Sequence, residues 1–242
     1  MISPPSKIAD ASLISFDKAA LATLLAAGLL LAACHSAASE FPVQLPPTNS
    51  PCSINARKAA GNGVTVAVCR RGYVWTSTNG VNWVERQTGN LSHLHDVAFG
   101  NGVFMAVGNE GVLITSRDGI AWTPRNSRTD DRLRGIAFGS GLFVAVGYCG
   151  TVITSKEGIR WKVRYSGTEE HLLAVAFAHG TFVAVGRKGV ILLSTNGMQW
   201  SRQPSGVSVC LERIEHRDGL FIASDSTTNV LVSPDGGQWV AP

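Results

Sequence analysis

His93-Leu94-His95-Asp96 is the stretch of this 242-residue chain whose side chains most suggest chemistry. Two imidazoles separated by one residue share a face of an extended strand. With a carboxylate beside them they make the beginning of a transition-metal site. A third nitrogen or sulfur ligand at the same radius is specified only by His171, so the chain is read as binding no metal. Around this stretch lie Arg70, Arg71, Arg132, Arg134, Arg187, Lys188 and Tyr148, interleaved with Asp130, Asp131, Glu169 and Glu170. Basic residues in excess over acidic ones in these loops suit an anionic or polar partner. Cys52, Cys69, Cys149 and Cys210 add four thiols, which in an exported chain allow three disulfide connectivities.

Other chemistries lack their residues. No Gly-rich phosphate loop opens a helix, and no serine-centred nucleophile elbow is present, so no cofactor is implied. Lys and Arg exceed Asp and Glu by 21 to 17, with no basic block of five or more, which argues against nucleic acid.

A repeat dictates where these side chains can stand. Ser-x-(Asp/Asn/Glu)-Gly-x-x-Trp occurs five times, and successive serines are 39 residues apart. The boxes are Ser77, Asn79, Gly80, Trp83; Ser116, Asp118, Gly119, Trp122; Ser155, Glu157, Gly158, Trp161; Ser194, Asn196, Gly197, Trp200; and Ser233, Asp235, Gly236, Trp239. A fixed period of this length marks an array of supersecondary units. Within the second unit, Leu94–Phe99 and Val103–Val107 flank Asn101-Gly102, a strong hairpin signal. A turn at Gly108–Gly111 leads to Val112–Thr115, and the box turns the chain into a last short strand from Ala121 to about Pro124. Each unit is thus four strands, a to d. One such sheet cannot bury its own faces, but five packed face to face can, so the reading is an all-β, five-bladed propeller of 39-residue blades.

Strand alternation puts the b–c loops and the starts of strands a at one end, opposite the boxes. That end receives Arg70, Arg71, His93, His95, Arg132, Arg134, Tyr148, His171, Arg187 and Lys188, and all four cysteines. Cys52–Cys69 would lie within blade one, and Cys52–Cys210 would join blade one to blade five. Closure with five blades is the simplest arrangement, with Phe41–Leu45 as a possible fourth strand for blade five. The rival is an incomplete six- or seven-bladed array that completes itself by dimerising.

The box resembles the Asp-box, or BNR, repeat of sialidase-like propellers, and is similar to that of photosystem II assembly-factor propellers. The resemblance covers residues 52–242. One residue between the acid and the glycine is missing in every copy, and Asn79, Asn196 and Glu157 replace the usual Asp. Sialidase chemistry, which the resemblance would imply, needs an arginine triad, a Tyr–Glu pair and an acid. Tyr148 and Glu110 are the only residues here that approach that pattern, so the chain is read as a non-enzyme. A glycan-binding or glycan-cleaving propeller is the alternative.

Residues 19–33 form a 15-residue apolar run, too short for a spanning helix and ending in Leu31-Ala32-Ala33-Cys34. This resembles a bacterial lipobox. It implies a signal peptide over 1–33, a diacylated Cys34, a Pro-rich tether over 34–51 and the propeller over 52–242. His35 in place of Asp at the next position implies the outer membrane of a Gram-negative cell. The expectation is a lipid-anchored envelope scaffold or assembly factor that binds a protein partner.

Overall fold

The computed structural model describes residues 56–227 and 230–242. Cys34, Cys52, the 1–33 and 34–51 segments and Phe41–Leu45 lie outside the described residues.

The repeat folds as five antiparallel sheets in chain order. Blade one is β1 (Arg57–Gly61), β2 (Val64–Val68), β3 (Val74–Ser77) and β4 (Val84–Arg86). Blade two is β5 (Leu94–Gly100), β6 (Val103–Gly108), β7 (Leu113–Ser116) and β8 (Thr123–Pro124). Blade three is β9 (Leu133–Gly139), β10 (Leu142–Gly147), β11 (Val152–Ser155) and β12 (Lys162–Arg164). Blade four is β13 (Leu172–Ala178), β14 (Thr181–Gly186), β15 (Ile191–Ser194) and β16 (Ser201–Gln203). Blade five has three strands, β17 (Arg213–Arg217), β18 (Leu220–Ser224) and β19 (Val230–Ser233). Its fourth strand is reduced to a single bridge, in which Val232 and Val240 exchange backbone bonds of 2.8 and 3.1 Å. Thr76 pairs with Val84 in the same register of blade one, so Val240 stands where a strand d begins.

Alternation along the strands explains the packing. Val66, Val68 and Val74 point from blade one to Phe104, Ala106 and Ile114 of blade two, and all six are buried. Three further clusters of the same kind join blades two to three, three to four and four to five. Each buried Val, Leu or Phe contributes about 1.5–3 kcal/mol, so these interfaces dominate the stability. Among the described residues no buried apolar cluster joins blade five to blade one. The blade-five residues in register with Val66, Val68 and Val74 are Ile222, Ser224 and Val230, and all three are half-exposed. The opposite face of blade one holds Ala67, Cys69 and Trp75 in a small cluster of its own.

The boxes act as turn locks. In blade two, Ser116 Oγ accepts from Gly119 N at 2.8 Å, and Asp118 Oδ1 accepts from Ile120 N and Ala121 N at 2.8 and 2.9 Å. Gly119 sits at φ +74°, a conformation that costs glycine little. Trp122 closes the turn by donating from its indole to Gly119 O at 3.0 Å. The missing box residue is therefore compatible with a complete Asx-type turn. Blade three departs: the longer Glu157 reaches Arg160 at 3.0 Å, and the serine bond to Gly158 N remains. Trp161 compensates through packing, being only 1% exposed between blades two and three.

Candidate functional site

The b–c loops build the site end. Four loops run through tight turns at Arg70–Gly72, Asn109–Gly111, Tyr148–Gly150 and Arg187–Gly189. The central residue of each is non-glycine with positive φ: Arg71 at 61°, Glu110 at 56°, Cys149 at 53° and Lys188 at 52°. A side chain in that region is uncommon, and four in register show that the turn geometry is imposed by its surroundings. Those surroundings are the starts of strands a. Asn109 N, Tyr148 N and Arg187 N donate to the carbonyls of His93, Arg132 and His171 at 2.9–3.0 Å. A Cβ on Gly147 would meet Arg132 O at 2.3 Å, so the approach of loop and strand requires glycine there.

These contacts assemble two side-chain groups. In the first, the Arg132 guanidinium lies 4.9 Å from the Tyr148 ring centroid and donates to its hydroxyl at 3.2 Å. The Tyr148 ring stacks on His171, with centroids 4.0 Å apart and planes 9° from parallel. His171 Nδ1 in turn accepts from Cys149 N at 3.1 Å. Guanidinium, phenol and imidazole form one layered surface across blades three and four. Tyr148 thus has an arginine partner for its hydroxyl, where a sialidase-like pairing would use a carboxylate.

The second group joins blades two and three. Arg134 Nη1 lies 3.3 Å from His95 Nδ1, and His95 Nε2 lies 2.6 Å from Asn109 Oδ1. Guanidinium donates to Nδ1, so the neutral tautomer carries its proton on Nε2 and donates to Asn109. Burial, with Arg134 and Arg132 adding to it, lowers the His95 pKa to about 4 against the opposing Asn109 bond. Asp96 accepts from Val97 N and Ile136 N, both at 3.0 Å, tying the inner strands together. Burial pushes its pKa up to about 6, although Arg57, the backbone donors and Arg134 all favour the anion. Arg134 Nε is buried with no hydrogen-bond partner within the protein.

The two imidazoles do not act as a ligand pair. The strand pairing shifts between Leu94 and Asp96, a bulge that interrupts the alternation at His95. His93 Nδ1 accepts from Arg71 N at 2.8 Å, while His95 faces Asn109 and Arg134. Among the described residues no group of three or more His, Cys, Asp or Glu side chains could hold a metal. Lys188 is paired with Glu170 at 2.7 Å, and Arg70 and Arg187 occupy the first positions of their turns.

Of the cysteine pairings drawn on the sequence, a disulfide at Cys69 is made and the one at Cys210 is not. Cys149 and Cys210 are free thiols, so the staple from Cys52 to Cys210 across blades one and five is not made. Burial raises the Cys210 thiol pKa. Cys69 is disulfide-bonded, and its partner lies outside the described residues.

Neither of two clefts among the described residues is lined by Arg132, Tyr148 or His171. One of 300 Å³ opens at the box end between Asp118 and Glu157, and one of 390 Å³ lies beside Glu110 and Asn126. Arg57 and Asn109 were not singled out on the sequence. Aligning repeats at 39 residues places Arg57, Asp96, Gly135, Ala174 and Arg213 in one column, and its charged outliers were the available signal.

No protein-family model and no curated protein matches the chain. Solved structures do. The chain is similar to YCF48 bound to D1 peptide, with a TM-score of 0.58 and 17% identity over 77% of this chain and 65% of that one. YCF48 from Cyanidioschyzon merolae gives 0.57 and 16% over 76% and 68%. The computationally designed Ika8 protein gives 0.59 and 12% over 76% and 60%. The chain thus spans under two thirds of YCF48 bound to D1 peptide and of Ika8. These likenesses show the β-propeller fold.

Proposed function

We propose that the chain is a non-catalytic propeller that holds a protein segment on its b–c loop end, as a scaffold or assembly factor of the cell envelope. The observation that carries this reading is the layered Arg132–Tyr148–His171 surface. Stacked rings offer apolar area at low entropic cost, and adjacent guanidinium groups suit carboxylates or backbone carbonyls of an extended peptide. That one similar propeller has been solved with a peptide bound is in keeping with this reading.

The anchor belongs to the same proposal. Cys34 carries the lipid and holds the propeller at the outer membrane of a Gram-negative cell. Two or three acyl chains suffice for stable attachment, at about 0.8 kcal/mol per buried CH₂. A lipid on Cys34 leaves Cys52 as the disulfide partner of Cys69, and a disulfide suits an exported domain. Cys34→Ala should move the protein from the membrane to the soluble fraction; retention in the membrane would refute the anchor.

Affinity capture from envelope extract tests the partner. We expect a protein captured by the wild type to be lost with Arg132→Ala/Arg134→Ala and kept with Arg117→Ala at the box end. Equal capture by both variants would refute the assignment of the surface.

A further inference from the structure

At the opposite end from the proposed binding surface, two exposed imidazoles meet across the junction of blades four and five. His179 lies in the a–b turn between β13 and β14, at φ 49°. His216 lies in β17. Their Nε2 atoms are 2.9 Å apart, their ring centroids 4.7 Å apart, and the planes cross at 79°.

We propose that His179 and His216 form a binding site for a late first-row divalent cation of the Cu²⁺ or Ni²⁺ class. Two distances fit a shared cation better than a linear imidazole–imidazole hydrogen bond. An imidazole nitrogen lies about 1.15 Å from its ring centroid, so a linear N–H···N bond of this length would hold the centroids about 5.2 Å apart. The rings are closer than that, so they are turned off the line joining the nitrogens, as a cation held beside that line would require. Metal–imidazole bonds are about 2.0–2.1 Å long, and two of them at a right angle span about 2.9 Å between nitrogens and about 4.5 Å between centroids. Both observed separations fit this cis arrangement. Tetrahedral coordination would need about 3.4 Å between the nitrogens. Right-angled nitrogen pairs are the preference of square-planar or tetragonal Cu²⁺ and Ni²⁺. Both rings bind as neutral Nδ1–H tautomers, and water fills the remaining positions.

The repeat itself shows that the pair is a departure. His216 occupies the register of Phe99, Phe138 and Phe177, which pack at 4.5–4.7 Å on Phe104, Phe143 and Phe182. His179 occupies the register of Asn62 and Asn101, whose amides donate to backbone carbonyls of the neighbouring boxes. His216 replaces the phenylalanine of its column while still packing edge-on against Phe221 at 5.3 Å, and His179 stands in a column of small polar residues, Asn62, Asn101, Ser140 and Asp218.

The same comparison supplies test variants with the repeat's own residues, His216→Phe and His179→Asn. The thiols of the full chain are first alkylated, because Cys149 and Cys210 are free. Calorimetric titration with Ni²⁺ at pH 7.5 should give one site in the wild type and at least tenfold weaker binding in each variant. Cu²⁺ resonance spectra should show two equatorial nitrogens in the wild type and one in either variant, with melting temperatures in the absence of metal within a few degrees. No saturable Ni²⁺ site in the wild type, or affinity and spectra unchanged in both variants, would overturn the proposal.

Discussion

Asp96 and His95 are adjacent, and their linkages to pH oppose each other over the same window. The Asp96 pKa is raised from 3.8 to about 6, so between those values the folded protein holds a proton that the unfolded chain releases. Its contribution to stability is full below about pH 4 and is lost as pH rises through 6. The His95 pKa is lowered from 6.5 to about 4, so there the unfolded chain binds the proton and the folded protein does not. Its contribution is full above pH 6.5 and is lost as pH falls through 4. At 1.36 kcal/mol per pKa unit each effect is of order 2–3 kcal/mol after allowance for partial solvent access, and the two nearly cancel. The perturbation that exposes them is removal of one partner. Urea midpoints of the wild type, Asp96→Asn and His95→Gln would be taken from pH 4 to 7 and converted to differences between variant and wild type. The Asp96→Asn difference should rise with pH by about 2–3 kcal/mol, and the His95→Gln difference should fall by about as much. Two flat difference profiles would refute the buried arrangement of this pair.

Three further outcomes follow from the packing. Trp161→Ala should cost about 3–5 kcal/mol in urea unfolding because the ring is fully buried, and Trp83→Ala, half-exposed, distinctly less; equal costs would contradict the inter-blade role of Trp161. Glu157→Asp should raise the urea midpoint by restoring the carboxylate that accepts the turn amides elsewhere, and a lowered midpoint would contradict the turn-lock account. Maleimide labelling of the unfolded, acylated protein without reductant should modify two thiols, Cys149 and Cys210, rising to four with reductant; four at the outset would contradict the disulfide at Cys69.

The architecture was legible because its signals are local and recur. Asn-Gly or its equivalents, the box glycine and the box tryptophan return every 39 residues, and each fixes a turn or an inter-blade contact on its own. The site end was legible only as a set of columns. His93, Arg132, His171 and Cys210 share one column, and Arg70, Asn109, Tyr148 and Arg187 another. Which members meet depends on rotamers and on the bulge at His95, and neither leaves a mark in residue spacing. The staple from Cys52 to Cys210 is not made, since Cys210 is a free thiol, and Cys52 stands two positions away from the Cys210 column. The half-exposed Ile222 and Val230 show why apolar alternation predicts a buried face without saying what covers it.

The account turns on whether the b–c loop end holds a protein partner, and a contact measurement tests that most directly. A photo-crosslinking amino acid placed at Lys188 or Cys149, exposed in the b–c loops, would be compared in living cells with one at Ile120, exposed at the box end. The account predicts a discrete crosslinked protein from the first positions, abolished by Arg132→Ala/Arg134→Ala, and none from Ile120. Crosslinking from Ile120 alone, or a product indifferent to the arginine changes, would contradict it.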